Sequence, residues 1–308
     1  MSRFITTRAA SLLAPREASI GDRLAYARHA DGQTLETRDG LLVQVLHIAG
    51  FPFETASDED LNYRKSVRET VLRSAATSRL ALWHHVVRRR VTPEFPPPPE
   101  EPFCADLDQR WREQLETRQL FVNDIFLTLV LRPTQGRAGL VERILRGPRQ
   151  RRSEAARDLR ELHAVRDSFA VALAPYGART LGIYDGGGGA RFSEPCEFLS
   201  LLLNGEARPV LAPSGDIASA LGQRRLTFGL DALEFGAGHG GERSFGAMVG
   251  LKDYPARTAP GLLDGVLRLP HEMVLTESFA FQDRQASLDR MGVALRRLKA
   301  AEDDAFSL

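Results

Sequence analysis

Lysine is nearly absent from this 308-residue sequence: of its 41 basic residues, only Lys65, Lys252 and Lys299 are not arginine. No function follows from that bias. Charge of one sign is also lacking, since 41 basic residues against 40 acidic ones leave a net +1, so no global field draws the chain to nucleic acid or an acidic membrane. Any such contact has to be local. Cysteine is limited to Cys104 and Cys196, too widely spaced for a metal or redox motif and too few for a disulfide framework, which makes the cytoplasm the expected compartment. Long apolar runs are missing too. The longest uncharged stretch, Gly40 to Phe53, falls short of the ~20 residues a membrane helix needs and contains Pro52. No transmembrane span is expected. The start, MSRFITTRAASLLAPR, has no secretory hydrophobic region, so residues 1–20 are expected to form a flexible leader.

The motifs of common enzymes are absent as well. A phosphate-binding loop needs G-x-x-x-x-G-K-[ST], whereas in GLKDYPART Leu251 separates Gly250 from Lys252 and Asp253 replaces the hydroxyl that would hold magnesium. That carboxylate would repel a phosphate. His84 and His85 are adjacent and point to opposite faces if they lie on a strand, while His29, His47, His163, His239 and His271 are scattered. There is no G-x-S-x-G elbow. DGGGG (residues 185–189) and GAGHGGE (residues 236–242) lack the strand-then-helix setting of a dinucleotide fingerprint, and Glu234, Glu242 and Glu272 could pair only through long-range folding. The sequence therefore assigns no catalytic, cofactor-binding or metal-ligating residue, and no cofactor is expected in this chain.

What is present is a run of alternating elements. GLLVQVLHIA (Gly40 to Ala49) reads as a buried strand, and SDEDLNYRKSVRETVLRSAA as a helix capped by Ser57 with Tyr63, Val67, Val71 and Ala75 on its apolar stripe. RLALWHHVV (Arg79 to Val87) returns to strand composition, and RRRVTPEFPPPPEEP then reads as a loop because four prolines cannot join a ladder. A short helix is expected at about Asp106 to Thr117, then the strand LFVNDIFLTLVLRP (Leu120 to Pro133). Between Arg137 and Arg160 arginines crowd a basic linker, and the following helix carries Leu159, Leu162, Val165, Phe169 and Leu173 on one face. ARTLGIYDGGGG supplies a strand and a glycine turn. The order strand, helix, strand, strand, helix, strand is that of a ferredoxin-like split βαβ.

The second half offers a helix near Pro195 to Leu203, strand candidates RRLTFGL, ALEFG and SFGAMVGL, and a helix capped by Thr258 with Leu262, Leu263, Val266 and Leu267 as its core face. On that reading Leu263→Asp unfolds or aggregates the chain, whereas Lys252→Ala is silent. Glu272 to Phe281 is the last strand, and a final helix from about Gln282 presents Leu288, Met291, Leu295 and Leu298. Its end is acidic at Asp303 and Asp304, where the helix dipole disfavours anions, which suggests a longer, interrupted helix. The expected class is α+β: residues 21–190 a ferredoxin-like subdomain with a basic loop insertion at 133–153, and residues 191–308 a second mixed subdomain ending in a linker helix.

The runs GDRLAYARH, TRDGLLVQVLHIAGFPFET, LNYRKSVRETVLR, LALWHHVVRRR, LFVNDIFLTLVLRP and GLKDYPARTAPGLLDGVLRLPHEMVLTESFAF resemble, in collinear order from about Gly21 to Phe281, the type IV secretion and conjugative transfer ATPases of the TrbE and CagE class, the fourth VirB component. The resemblance covers their N-terminal region. It implies a RecA-like ATPase domain with Walker A and Walker B motifs elsewhere in the family, hence ATP and magnesium there, and no family catalytic residue carries over because these 308 residues hold no Walker A. It implies an assembly role, docking the motor to inner-membrane channel components and to other copies of the ATPase on the cytoplasmic side of the inner membrane. Two alternatives stay open. The arginine-rich linker could bind nucleic acid with a steep salt dependence, although no RNP-like aromatic signature is present, or the chain could be an NTP-dependent enzyme with an unrecognised site.

Overall fold

A computed structural model describes residues 19–51, 55–133, 148–236, 242–251, 253, 255, 257 and 261–305. In chain order the strands are β1 (Tyr26–His29), β2 (Leu35–Thr37), β3 (Leu42–Ile48), β4 (Leu80–Val91), β5 (Leu120–Leu131), β6 (Ala178–Thr180), β7 (Ile183–Asp185), β8 (Arg191–Ser193), β9 (Leu226–Phe228), β10 (Leu233–Phe235), β11 (Ser244–Gly246) and β12 (Met273–Ala280). The helices are α1 (Asp58–Ala75), α2 (Pro102–Glu116), α3 (Pro148–Ala172), α4 (Glu194–Asn204), α5 (Ile217–Leu221), α6 (Asp264–Leu267) and α7 (Arg284–Ala305). The class is α+β. The chain forms two compact units, one from Met1–Asp39, His85–Phe126 and Leu181–Thr276, the other from Gly40–His84, Leu127–Thr180 and Glu277–Leu308.

The second unit is the ferredoxin-like one. Its strands lie in the order β6-β3-β5-β4-β12, so the β3-α1-β4-β5-α3-β6 run, numbered by strand, reads 4-1-3-2 across the sheet. β6 closes the run antiparallel to β3, with Leu46 opposite Thr180 and Ile48 opposite Ala178. Period-two patterning aims Leu42 and Leu46 of β3, Leu80 and Leu82 of β4, and Leu127, Leu129 and Leu131 of β5 into one core with α1 and α3. Leu162 and Phe169 of α3 and Leu173 just past its end enter it, with Leu159 and Val165 partly buried against it. The stripe read from the sequence on that helix is its core face. On α1 only Val71 and Ala75 are buried, and Tyr63 faces solvent. Ser57 caps α1 by accepting from the Asp60 amide at 3.2 Å.

Arg79 clamps this unit. Its guanidinium reaches Asp158 and Glu161 of α3, both at 2.6 Å, and donates to the Arg132 carbonyl from Nε at 3.1 Å and Nη2 at 2.9 Å. One side chain thus joins the start of β4, the end of β5 and a nearly buried carboxylate.

Several boundaries differ from expectation. β4 runs on through Arg88, Arg89 and Arg90 to Val91. The arginines tolerate the strand because Arg88 lies over the Phe121 ring and donates to Asn123 and the Leu269 carbonyl, Arg89 pairs with Asp124, and the Arg90 amide donates to Glu272. α2 begins at Pro102, capped by Glu101, because a proline suits the first turn, where no amide is needed. α3 begins at Pro148, inside the stretch 133–153 read as loop; residues 134–147 of that stretch, like residues 1–18 of the leader, lie outside the described residues. The 178–185 strand is two, β6 and β7, parted at Leu181 and Gly182.

The helix expected after Thr258 shrinks to the four residues of α6, with Thr258, Pro260 and Lys252 outside the described residues. Leu262 and Val266 are exposed and Leu263 is only half-buried at the cap, so there is no core face here. The expectation that Leu263→Asp unfolds the chain is therefore withdrawn, because a carboxylate at this position keeps access to water and escapes the penalty of full burial.

Candidate interaction surface

The described residues of the first unit hold two small sheets and one well-built helix that positions them. SEPCEFLSLLLNG encodes α4 from end to end: Ser193 accepts from the Cys196 amide, Pro195 sits in the first turn, and Gly205 ends the helix at φ 70° with its amide on the Leu201 carbonyl. Phe198 anchors it, stacked 4.4 Å from the Phe126 ring and edge-on to His85 at 5.3 Å. β7 and β8 precede it as a hairpin whose turn uses Gly187, Gly188 and Gly189 at positive φ, so DGGGG turns a corner.

At its other end α4 builds a polar knot. The Asn204 amide nitrogen donates to the Ser200 carbonyl and hydroxyl and to the Leu221 carbonyl, while its oxygen accepts from the Gln223 and Arg224 amides, all between 2.8 and 3.2 Å. Arg224 then reaches outward. Its guanidinium donates to the carbonyls of Asn204, Phe235, Gly236 and Glu242 and to the Ser244 hydroxyl, and lies 5.7 Å from the Phe235 ring centroid. That one side chain fixes the sheet β11-β10-β9 to α4.

The sheet itself is antiparallel, with Leu233 opposite Phe228 and Gly246, and Phe235 opposite Leu226 and Ser244. Leu226, Phe228, Leu233 and Phe235 therefore share one face, and Phe245 takes the other. Here the apolar residues lie outside. Phe228 and Phe245 are exposed, Leu230 at the turn between β9 and β10 is 99% exposed, and Met248 and Val249 beyond β11 are 88% and 96% exposed. Six large apolar side chains, Phe228, Leu230, Phe245, Met248, Val249 and Leu251, thus stand in water on and just beyond the sheet that Arg224 anchors. A contact surface has this character; a reaction centre does not.

A cysteine–histidine pair in the same unit went unremarked in the sequence because its members are 167 residues apart. Cys196 Sγ lies 3.6 Å from His29 Nε2 and near the amino end of α4, the position of a reactive thiolate. Its environment opposes that chemistry. Cys196 is wholly buried; burial pushes its thiol up and holds the His29 imidazole below its ordinary value, so thiol and imidazole are both neutral near pH 7. His85 is buried against Phe198 and hydrogen-bonds Thr276, and His84 pairs with Glu277, so the two face apart as their adjacency requires. Glu234 pairs with Arg243 at 3.3 Å, and Glu272 accepts the Arg90 amide. Among the described residues no group of three metal-ligating side chains converges, and no helix is long and apolar enough to cross a membrane.

Comparison with known proteins gives the chain its relatives. Residues 33–138 match the N-terminal domain model of the type IV secretion system ATPase VirB4/TrbE, and residues 179–308 match the CagE, TrbE, VirB family, a component of the type IV transporter system. The type IV secretion system protein virB4 of Bartonella henselae is 31% identical over 296 residues, covering 95% of this chain and 37% of the relative. Its counterpart in Brucella suis is 28% identical over 94% of this chain and 36% of its own length. The type IV secretion system protein PtlC of Bordetella pertussis is 28% identical over 96% of this chain and 36% of the relative. The chain therefore spans a little over a third of the length of these relatives. The exposed run from Phe228 to Leu251 falls inside the second matched region.

Proposed function

Since the chain belongs to the VirB4/TrbE/CagE family of type IV secretion ATPases, matching its N-terminal region, we propose that these 308 residues are a non-catalytic docking region. They seat a secretion motor on inner-membrane channel components and on neighbouring copies, peripheral to the membrane on its cytoplasmic side. The observation that carries this reading is the set of apolar side chains Phe228, Leu230, Phe245, Met248, Val249 and Leu251, which stand in solvent on and just beyond the sheet that Arg224 anchors. The cost of exposing six large side chains is offset when a partner covers them. ATP and magnesium, in this reading, act in the part of the family's architecture that carries Walker motifs. The alternative nucleic-acid role would rest on the arginines between Arg137 and Arg160, of which residues 137–147 lie outside the described residues.

Co-expression with the inner-membrane components of a type IV secretion system tests the proposal. The wild-type chain is expected to co-purify with at least one of them from detergent extracts, and Met248→Asp with Val249→Asp to cut that recovery at least about tenfold. Both side chains are almost fully exposed, so the melting curve should not move. Undiminished recovery in the double variant would overturn the assignment of the surface. Failure of the wild-type chain to bind any component would overturn the docking role.

A further inference from the structure

Neighbouring strands joined by a plain turn need about two to five residues between them, yet β4 and β5 are joined by residues 92–119. A proline run and α2 fill that length. α2 has no buried residue, and Phe103, Leu107 and Trp111 along it are all exposed, so it adds nothing to a core. Its contacts are with the prolines. The Phe95 ring meets Trp111 edge-on at 5.8 Å, while the Arg112 guanidinium lies 4.8 Å over Phe95 and donates to the Pro96 carbonyl at 2.6 Å. Asp108 holds the same guanidinium at 2.6 Å. At the other end Glu101 caps α2 by accepting from the Cys104 amide at 2.8 Å, with Pro102 in the first turn. Pro96 to Pro99 are thus tied down at both ends, and all four are exposed.

Proline fixes φ and drives the residue before it into the extended region, so four in a row, none of them cis, make a polyproline II rod about 9 Å long. We propose that this rod is the ligand of a partner protein that presents a groove of aromatic side chains edged by basic ones. The chemistry of the segment selects that partner. Prolines carry no amide hydrogen, so the rod offers only ring faces and carbonyls; flat tryptophan and tyrosine rings match the faces, and their N–H and O–H groups donate to the carbonyls. The chain already reads one end of its own rod with an arginine donor at Pro96 and aromatic contact at Phe95. Charge supplies the edge. Every charged residue from Thr92 to Pro102 is an acid, and Glu94 and Glu100 stand exposed on either side of the prolines, which a basic rim complements. A rod fixed before contact also loses little conformational freedom on binding. This surface shares no residue with the Phe228 to Leu251 set, so it adds a second kind of partner to the docking reading and does not depend on it.

A purified EVH1 domain with basic residues at its rim, a reader of proline-rich segments through an aromatic groove, is the probe. Titrating the chain into the isotope-labelled domain is expected to give saturable binding, with the shift changes confined to the groove. Pro97→Ala with Pro98→Ala should weaken it at least about tenfold and leave the melting curve where it was, because both residues are exposed. Glu94→Lys with Glu100→Lys should weaken it too, and by more at low salt than at high. A peptide of residues 93–102 should displace the chain. No binding, binding indifferent to the proline pair, or shift changes outside the groove would each overturn the proposal, and indifference to the glutamate pair would remove the basic edge from it. Failure of the docking reading has a different signature: Met248→Asp with Val249→Asp acts on channel components and leaves binding of this probe intact.

Discussion

Asn204→Ala is expected to destabilise the unit around α4 by about 3 to 5 kcal/mol, among the largest effects of any single substitution in the chain. The side chain is 2% exposed and makes five hydrogen bonds, three given and two received. Alanine returns none of them. The Gln223 and Arg224 amides lose an acceptor and the Leu221 carbonyl loses a donor in a site closed to water, at about 1 to 3 kcal/mol for each group left unsatisfied. The loss spreads, because the Arg224 backbone that Asn204 holds also carries the side chain anchoring β9, β10 and β11. Each unit contains one of the two tryptophans, Trp111 in the unit of α4 and Trp83 in the other. Urea unfolding of single-tryptophan variants should show the Trp111 transition moving to lower denaturant. An unmoved Trp111 midpoint would mean that Asn204 is dispensable and that the exposed run is held by other contacts.

Arg79→Met is the counterpart in the ferredoxin-like unit, with an expected loss of about 3 to 5 kcal/mol. Methionine keeps the aliphatic stem but strips Asp158 of its arginine at a site where that residue is 4% exposed, and removes two donors from the Arg132 carbonyl. The penalty lies in a buried carboxylate that has lost its arginine more than in the pair itself, so adding Asp158→Asn should restore part of the loss. Here the Trp83 transition should shift. If the double variant proved less stable than Arg79→Met by the full cost of a separate core defect, the carboxylate would be stabilised by something other than this clamp.

The ferredoxin-like run was legible because each of its elements announces itself locally. The apolar run LVQVLHI, the Ser57 cap and the Leu162, Phe169, Leu173 stripe depend on residues a few positions apart, and the strand order follows once the elements are in place. Boundaries failed where distant partners decide them. Arg88 to Arg90 read as loop because three arginines suit water; they sit in β4 because Asn123, Asp124 and Glu272 await them from other parts of the chain. Leu262, Leu263, Val266 and Leu267 have helical spacing, yet only four residues form the helix and the stripe has little to pack on. The exposed surface was the least visible part. MVGL looks like any apolar run, and the exposure of Met248, Val249 and Leu251 is decided by the fold around it, not by its own residues. The leucines of α7 were correctly placed on one face, but such a stripe reads the same whether it is buried or, as here, exposed.

The interleaving of the two units sets an order of events on the ribosome. By the time Thr180 has emerged, all six elements of the ferredoxin-like run are available, and only residues 277–308 of that unit are still to come. The other unit needs everything up to Thr276. At about 5 to 20 residues per second the gap between Thr180 and Thr276 lasts roughly 5 to 20 s, long against the folding time of a small domain. During that interval His85 and Phe126 have been made, but Phe198, the ring that covers both, arrives only part of the way through. Nascent chains stalled near Thr180 and near Thr276 should therefore differ sharply in protease resistance over residues 85–126, and the earlier of the two is where a chaperone would find its substrate.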